Sequence, residues 1–219
     1  NGGSATLDHV TFALNFGVGI YGAPSSTSHL SIMQSNIETS ELNGIQLDGI
    51  AGNDISLTNN TFTGNGAAAV SLAFNGGSIT ALDGNSGSGN LINGIQLSGT
   101  IGMHTTLPGN PAFPYVVDTG LTVDTAKTLT LSSGALVKFG VSTNGTLTVN
   151  GSLLVNGTDP SPVIFTSIKD DSAGGDTNND GSATTPARGD WNAIVISSGA
   201  SASLTYADIR YGGFYWCGV

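Results

Sequence analysis

The hexapeptide DTNNDG at residues 176–181 sets oxygen-bearing side chains at every second position, Asp176, Asn178 and Asp180, and closes on Gly181. Alternate residues of a tight loop can turn their oxygens to one centre while the glycine takes the sharp bend, which is how a calcium loop begins. Asp170 and Asp171, just upstream, could add charge to such a centre. The twelfth loop position is Ala187 rather than a bidentate Glu, so the ligand set has to close differently, with Asp190 as the candidate. The expected cofactor is therefore a structural Ca²⁺, drawn from Asp170, Asp171, Asp176, Asn178, Asp180 and Asp190, that orders the insertion around it. A solvated acidic loop is the competing reading.

Other chemistry is harder to assemble. Two carboxylates facing one another would suit glycoside hydrolysis, but Glu38 and Glu41 fall on a turn, where solvation accounts for them. A lyase acting by β-elimination needs a base over a groove, and the only cations are Lys127, Lys138, Lys169, Arg188 and Arg210. Arg188 stands beside the acidic loop and is expected to pair with an Asp there. Arg210, between Ile209 and Tyr211, is expected to point outward from a strand. His9, His29 and His104 show no zinc spacing, and Asp8–His9 with a neighbouring Ser would be a forced triad in so serine-rich a chain. Cys217 is the lone cysteine, so no internal disulfide is available. Asn59, Asn144, Asn150 and Asn156 head N-x-[ST] sequons and read as turns first. No catalytic residue is assigned.

A net charge of −10, from 15 Asp and Glu against 5 Lys and Arg, repels nucleic acid, anionic membrane surfaces and polyanionic substrates such as pectate. No apolar run approaches the roughly 20 residues of a membrane span, so neither nucleic-acid binding nor membrane insertion is expected. The chain opens in mid-pattern with NGGSATLDH and reads as a processed product or a piece of something longer.

What would hold these groups is legible in a repeat. NGIQLDG at 43–49 returns as NGIQLSG at 93–99, and Ile20, Ile45, Val70 and Ile95 are spaced 25 apart. Leu7, Ile32, Leu57 and Leu82 share that spacing, as do Phe12, Ile37 and Phe62, with Gly87 in the fourth copy. The apolar residues come in alternate pairs such as Ile45/Leu47, a strand period of 2 flanked by turn-forming Gly and Asn. The expected fold is all-β: a right-handed parallel β-helix (solenoid) with three short strands per ~25-residue coil, each stacked on its counterpart one coil below. After a Pro-rich segment the rhythm continues. Leu121/Val123, Leu129/Leu131 and Val137/Phe139 match Leu147/Val149, Leu153/Val155 and Val163/Phe165, at offsets of 26, 24 and 26. The domain reading is a sub-block at 1–103, a Pro-rich boundary at 104–120, and a sub-block at 121–219 with an acidic insertion at 168–190. Asn36, Asn60 and Asn85 are expected to form a corner ladder. The last segment, SASLTYADIRYGG, overlays the first, with Leu204 on Ala5 and Tyr206 on Leu7. The aromatic stretch Phe214, Tyr215 and Trp216 is expected as core or as an anchor at a junction.

These residues resemble the right-handed parallel β-helix proteins of the pectate-lyase-like class. LTNNTFTGNG and NGIQL resemble the general β-helix repeat. GTLTVNGSLLVNGTDPSPVIFTSIKDD with GGDTNNDGS, GDWNAIVI and LTYADIRYGG is similar to a block of very large secreted or surface-attached bacterial proteins. The resemblance implies an extracellular or cell-surface location and a bacterial or archaeal source. It does not imply an activity, since the class holds lyases, hydrolases, epimerases, adhesins and inert stalks. The expected function is a structural or adhesive module of a larger surface protein or self-assembling filament, not an enzyme. Its expected partners are its own kind, by end-to-end stacking, or neighbouring repeats of the same parent, with a glycan as a further candidate. The rival is a carbohydrate-active or glycan-binding β-helix.

Overall fold

The computed structural model describes residues 3–52, 54–140 and 142–213, with the backbone alone at 142–144. The expectations for Cys217, for Phe214, Tyr215 and Trp216, and for the side chain of Asn144 lie outside these residues. Among the described residues there is no helix; the chain is a parallel β-solenoid.

Its strands come in successive triplets: β1 (Ser4–Asp8), β2 (Thr11–Ala13) and β3 (Ile20–Gly22); β4 (His29–Met33), β5 (Asn36–Glu38) and β6 (Ile45–Ile50); β7 (Ile55–Thr58), β8 (Thr61–Thr63) and β9 (Ala68–Asn75). Then follow β10 (Ser86–Ser88) and a long β11 (Ile92–Ile101). Beyond it lie β12 (Thr105–Leu107), β13 (Tyr115–Val117) and β14 (Leu121–Val123); β15 (Thr128–Ser132), β16 (Leu136–Phe139) and β17 (Ser142–Val149); β18 (Ser152–Asn156), β19 (Val163–Ser167) and β20 (Trp191–Ile196); and finally β21 (Ser201–Thr205) and β22 (Ala207–Ile209).

The copied residues stack as their spacing requires. Ile20 pairs with Ile45, Ile45 with Val70 and Val70 with Ile95. Leu7 pairs with Ile32 and Ile32 with Leu57, while Phe12, Ile37, Phe62 and Gly87 form the file between them. The interior members are sealed from water, and truncating any one of them to Ala should cost about 2–5 kcal/mol, transfer and cavity together. Gly87 is not a lapse in its file. The ring of Phe113 enters above it and stacks on Phe62 with centroids 5.8 Å apart, and a Cβ at Gly87 would lie 2.8 Å from that ring.

The corners of the first triplets are closed by side chains. Ser35 N–H donates to Asn60 Oδ1 and Asn60 N–H to Asn85 Oδ1, each at 3.0 Å, while Asn60 and Asn85 donate through Nδ2 to the carbonyls of Ile32 and Leu57. A second ladder five residues on runs from Ser40 through Asn65 to Asn90. Ladder residues are preceded by left-handed backbone, at Gln34, Asn59 and Gly84 on the first corner and at Thr39, Gly64 and Gly89 on the second. The lower rung of the first ladder is Ser35, not the expected Asn36, because Asn36 begins β5 and faces outward, exposed.

The two blocks join through β11. Its first half pairs with β13 (Ile95 with Tyr115) and its second half with β14 (Gly99 with Leu121), so one side of the coil becomes two. Gly99 is the hinge: its φ is +81° and a Cβ there would collide with the Phe74 carbonyl oxygen. Residues 104–120 supply β12 and β13, which are paired to the following coil at Thr105–Leu129 and Tyr115–Val137.

On two sides of the second block the register follows the expected offsets, Leu121 with Leu147 and Leu129 with Leu153. On the third it is corrected by two residues: Val137 pairs with Phe165 and Phe139 with Ser167, not with Val163 and Phe165. The intervening corner is longer than the spacing indicated and is closed on itself by Thr158 and Ser161. A slip of two keeps every side chain on its own face, so the hydrophobic pattern could not reveal it.

Candidate metal centre

The insertion leaves β19 at Ser167 and returns at β20, and it lies over the outward face of β13, β16 and β19. Val116, Lys138 and Thr166 stack on that outward face, and all three are fully buried. Lys138 holds the loop from beneath, donating from Nζ to the carbonyls of Asp170 (3.0 Å) and Gly175 (2.9 Å). From the first block Asn93 grips it as well, its N–H on Thr177 O and its Nδ2 on Asp176 O. The backbone turns back through left-handed residues at Gly174, Gly175, Asn179 and Gly181.

This path brings three carboxylates together. Asp171, Asp176 and Asp180 each present an oxygen, and these oxygens all lie within 4.8 Å of one another. Asp176 accepts from the N–H groups of Asp180 and Gly181, and Asp180 accepts from those of Ser182 and Ala183. Asn178 donates through Nδ2 to Asp180 Oδ2 at 2.7 Å, which sets its amide against the cluster. Two oxygens are shielded from solvent and have no hydrogen-bond partner: Asp171 Oδ1 and Asn178 Oδ1. They are the only such side-chain atoms among the described residues, and both belong to this loop. An orphaned buried acceptor is costly, and a hard cation accepting lone pairs from carboxylate and amide oxygens would relieve it. The donor set is all oxygen, so it fits Ca²⁺ rather than a soft metal.

Electrostatics agree with the crowding. Desolvation, then Asp176, pushes the Asp171 carboxyl above the usual carboxylate range, opposed by Lys138. Asp180 is held below that range, chiefly by the Thr184 hydroxyl. Lys138 is pushed down to about 8 by burial, although Asp170, Asp171 and Asp176 all favour its charge.

Asp170 and Asp190 do not join the cluster. Asp170 takes hydrogen bonds from Thr166 and Ser172 and faces Arg210 at 3.5 Å; these contacts outweigh its burial and keep it ionised. Asp190 closes the loop base, accepting from Ser167, the Ala187 N–H and Lys169. The ion pairs of the insertion are thus made by Lys169 and Arg210, where Arg188 was expected. Arg210 points outward as expected and also grips Asp208. His9 pairs with Asp8 and His29 with Asp54, so the two histidines serve separate carboxylates. Lys138 is the functional residue that spacing alone missed. The available signal was a lone lysine on the outward side of a strand over which a long insertion has to fold.

The chain matches no known protein family, no characterised protein and no solved structure at a significant level.

Proposed function

We propose that the chain is a structural or adhesive extracellular module, a segment of solenoid within a larger surface protein or filament, with Ca²⁺ ordering its acidic insertion. The observation that carries this reading is where the buried polar side chains are spent. Asn60, Asn65, Asn85 and Asn90 all bond to the coil below or the coil above, so the polar interior serves stacking. Of the five cations, Lys138, Lys169 and Arg210 hold the insertion in place, which takes them away from the role of a base over a groove.

Calcium belongs to the same reading. Asp171, Asp176, Asp180 and the Asn178 amide oxygen would supply its ligands, and its charge would offset three crowded carboxylates. Bound only to the folded loop, it stabilises by mass action. Two measurements test the reading. Ca²⁺ should raise the melting temperature by about 3 °C and slow amide exchange at 170–185, and Asp176→Asn should abolish both effects; an identical melt in chelator removes the ion. Incubation with a panel of polysaccharides should give no product, and turnover on any of them would replace the structural role with an enzymatic one.

A further inference from the structure

The copied heptapeptide is wired differently in its two places. In NGIQLDG, Asn43 keeps to the solenoid: its Nδ2 donates to Gln46 Oε1 at 3.0 Å and its Oδ1 accepts from the Ala68 N–H of the next coil at 2.9 Å. In NGIQLSG, Asn93 turns to the insertion instead. Its Nδ2 donates to the carbonyl of Asp176 at 3.0 Å and its N–H to that of Thr177 at 2.8 Å. Its Oδ1 is taken from the other side, by the N–H of Asn90 at 2.9 Å and the Nδ2 of Asn90 at 3.1 Å.

Asn90 is a rung of the second corner ladder, so that ladder continues beyond it. Asn65 donates through its N–H (3.0 Å) and its Nδ2 (2.7 Å) to Asn90 Oδ1, and Ser40 N–H donates to Asn65 Oδ1 at 3.1 Å. Asn65 and Asn90 are sealed from water. One unbroken line of hydrogen bonds therefore runs from Ser40 through Asn65, Asn90 and Asn93 to the backbone of Asp176, whose carboxylate belongs to the oxygen cluster. Each asparagine in it accepts from one neighbour and donates to the next, so fixing one group fixes the group behind it. The first ladder is a control within the same coils. It runs to Asn85, whose Nδ2 is spent inside the solenoid on the carbonyls of Leu57 and Leu82.

We propose that Asn93 is a positioning residue for the acidic loop, and the link through which calcium in that loop is felt by the second ladder rather than the first. A cation held by Asp171, Asp176 and Asp180 fixes the backbone at 176–177. Those carbonyls then hold the Asn93 amide, and that amide holds Asn90. The coupling is reciprocal, so loosening the ladder weakens the binding of the ion.

This inference rests on the calcium reading above, yet the two can fail apart. Amide exchange of the full chain, followed residue by residue by NMR in CaCl₂ and in chelator, tests it. Calcium should slow exchange at Ser40, Asn65 and Asn90 about fivefold more than at Ser35 and Asn60; a general gain in stability would slow both ladders alike. Asn93→Ala should abolish that difference and weaken calcium binding roughly tenfold by titration calorimetry. Asn65→Ala, remote from every ligand, should weaken it in the same direction, and Asn60→Ala should not, with circular dichroism checking each fold. The parent comparison needs no variant, so it decides the matter even where a substitution fails to fold. Equal slowing of the two ladders, or unaltered calcium affinity in folded Asn93→Ala, overturns the proposal alone. A parent chain that takes up no calcium overturns the metal reading and this inference with it.

Discussion

Coils before Ile101 and coils after it solve one problem in two ways. In the first block two of the three corners of each coil are bonded, through an Asn or Ser side chain, to the equivalent corner one coil away. Adding a residue to such a corner would pull it out of two ladders, and the period stays at 25. In the second block these corners close on their own backbone, Ala135 N–H to Ser132 O and Thr158 to Ser161, and meet one another through Ser133 Oγ and the Gly134 N–H on Ser161 O, with no buried Asn between them. There Leu153 follows Leu129 by 24 residues, Ile164 follows Leu136 by 28 and Ile194 follows Leu147 by 47. A corner without a buried amide ladder is freer to change length, as the Thr158–Ser161 corner does. The second block replaces the lost amide ladders with aromatic packing: Trp191 stacks on Phe139 at 4.2 Å and donates from Nε1 to the Arg210 carbonyl.

Trp191→Ala should therefore hurt most, by about 4 kcal/mol, with hydrogen exchange accelerating from β16 to β20 while β4–β9 stay protected. Equal acceleration in both blocks would mean that they are not separately braced. Next in size is Asn60→Ala. It strands the Ser35 N–H and the Ile32 carbonyl in a dry interior and should cost about 3 kcal/mol, read by denaturant melts. Asn60→Asp tests the same rung, since a carboxylate cannot donate to Ile32 O.

The third contrast is in pH. In an unfolded chain Lys138 holds its proton up to its ordinary value of 10.5, whereas in the fold burial lowers it to about 8 against the pull of Asp170, Asp171 and Asp176. Between those values the unfolded chain carries the extra proton, so stability rises as pH increases through the window and is flat below it. A gain on the order of 2 kcal/mol between pH 8 and 10 is expected in calcium-free buffer, and Lys138→Met should flatten it. Tyr115, raised by burial and then by Asp83, works in the opposite direction only above its ordinary value of 10.0. Smallest is the effect of two glycines inserted after Asp159, about 0.6 kcal/mol or less. The same insertion after Gly64, between two ladder rungs, should cost several times more.

How much of this could be read beforehand depends on whether a residue repeats. Ile20, Ile45, Val70 and Ile95 declared their file because each coil asks the same of that position. Asp176, Asn178 and Asp180 were found by alternation within one loop, a local signal that needs no fold, whereas Asp171 entered only beside Asp170 as upstream charge. Gly87 looked like a broken column because its filler, Phe113, comes from a different corner. Lys138 was one of five cations with nothing local to mark it.

The sequence alone determined the parallel coil, its 25-residue pitch and the faces of its strands, since a period of 2 inside a longer period leaves one backbone path. The tertiary structure decided what depends on contacts between unlike segments: the splitting of β11 into two sides, the two-residue slip at β19, and the choice of Asp171 over Asp170 and Asp190 beside Asp176 and Asp180. Adjacent aspartates are chemically identical until a fold buries one against Arg210 and leaves the other facing the loop, and composition carries no record of that direction.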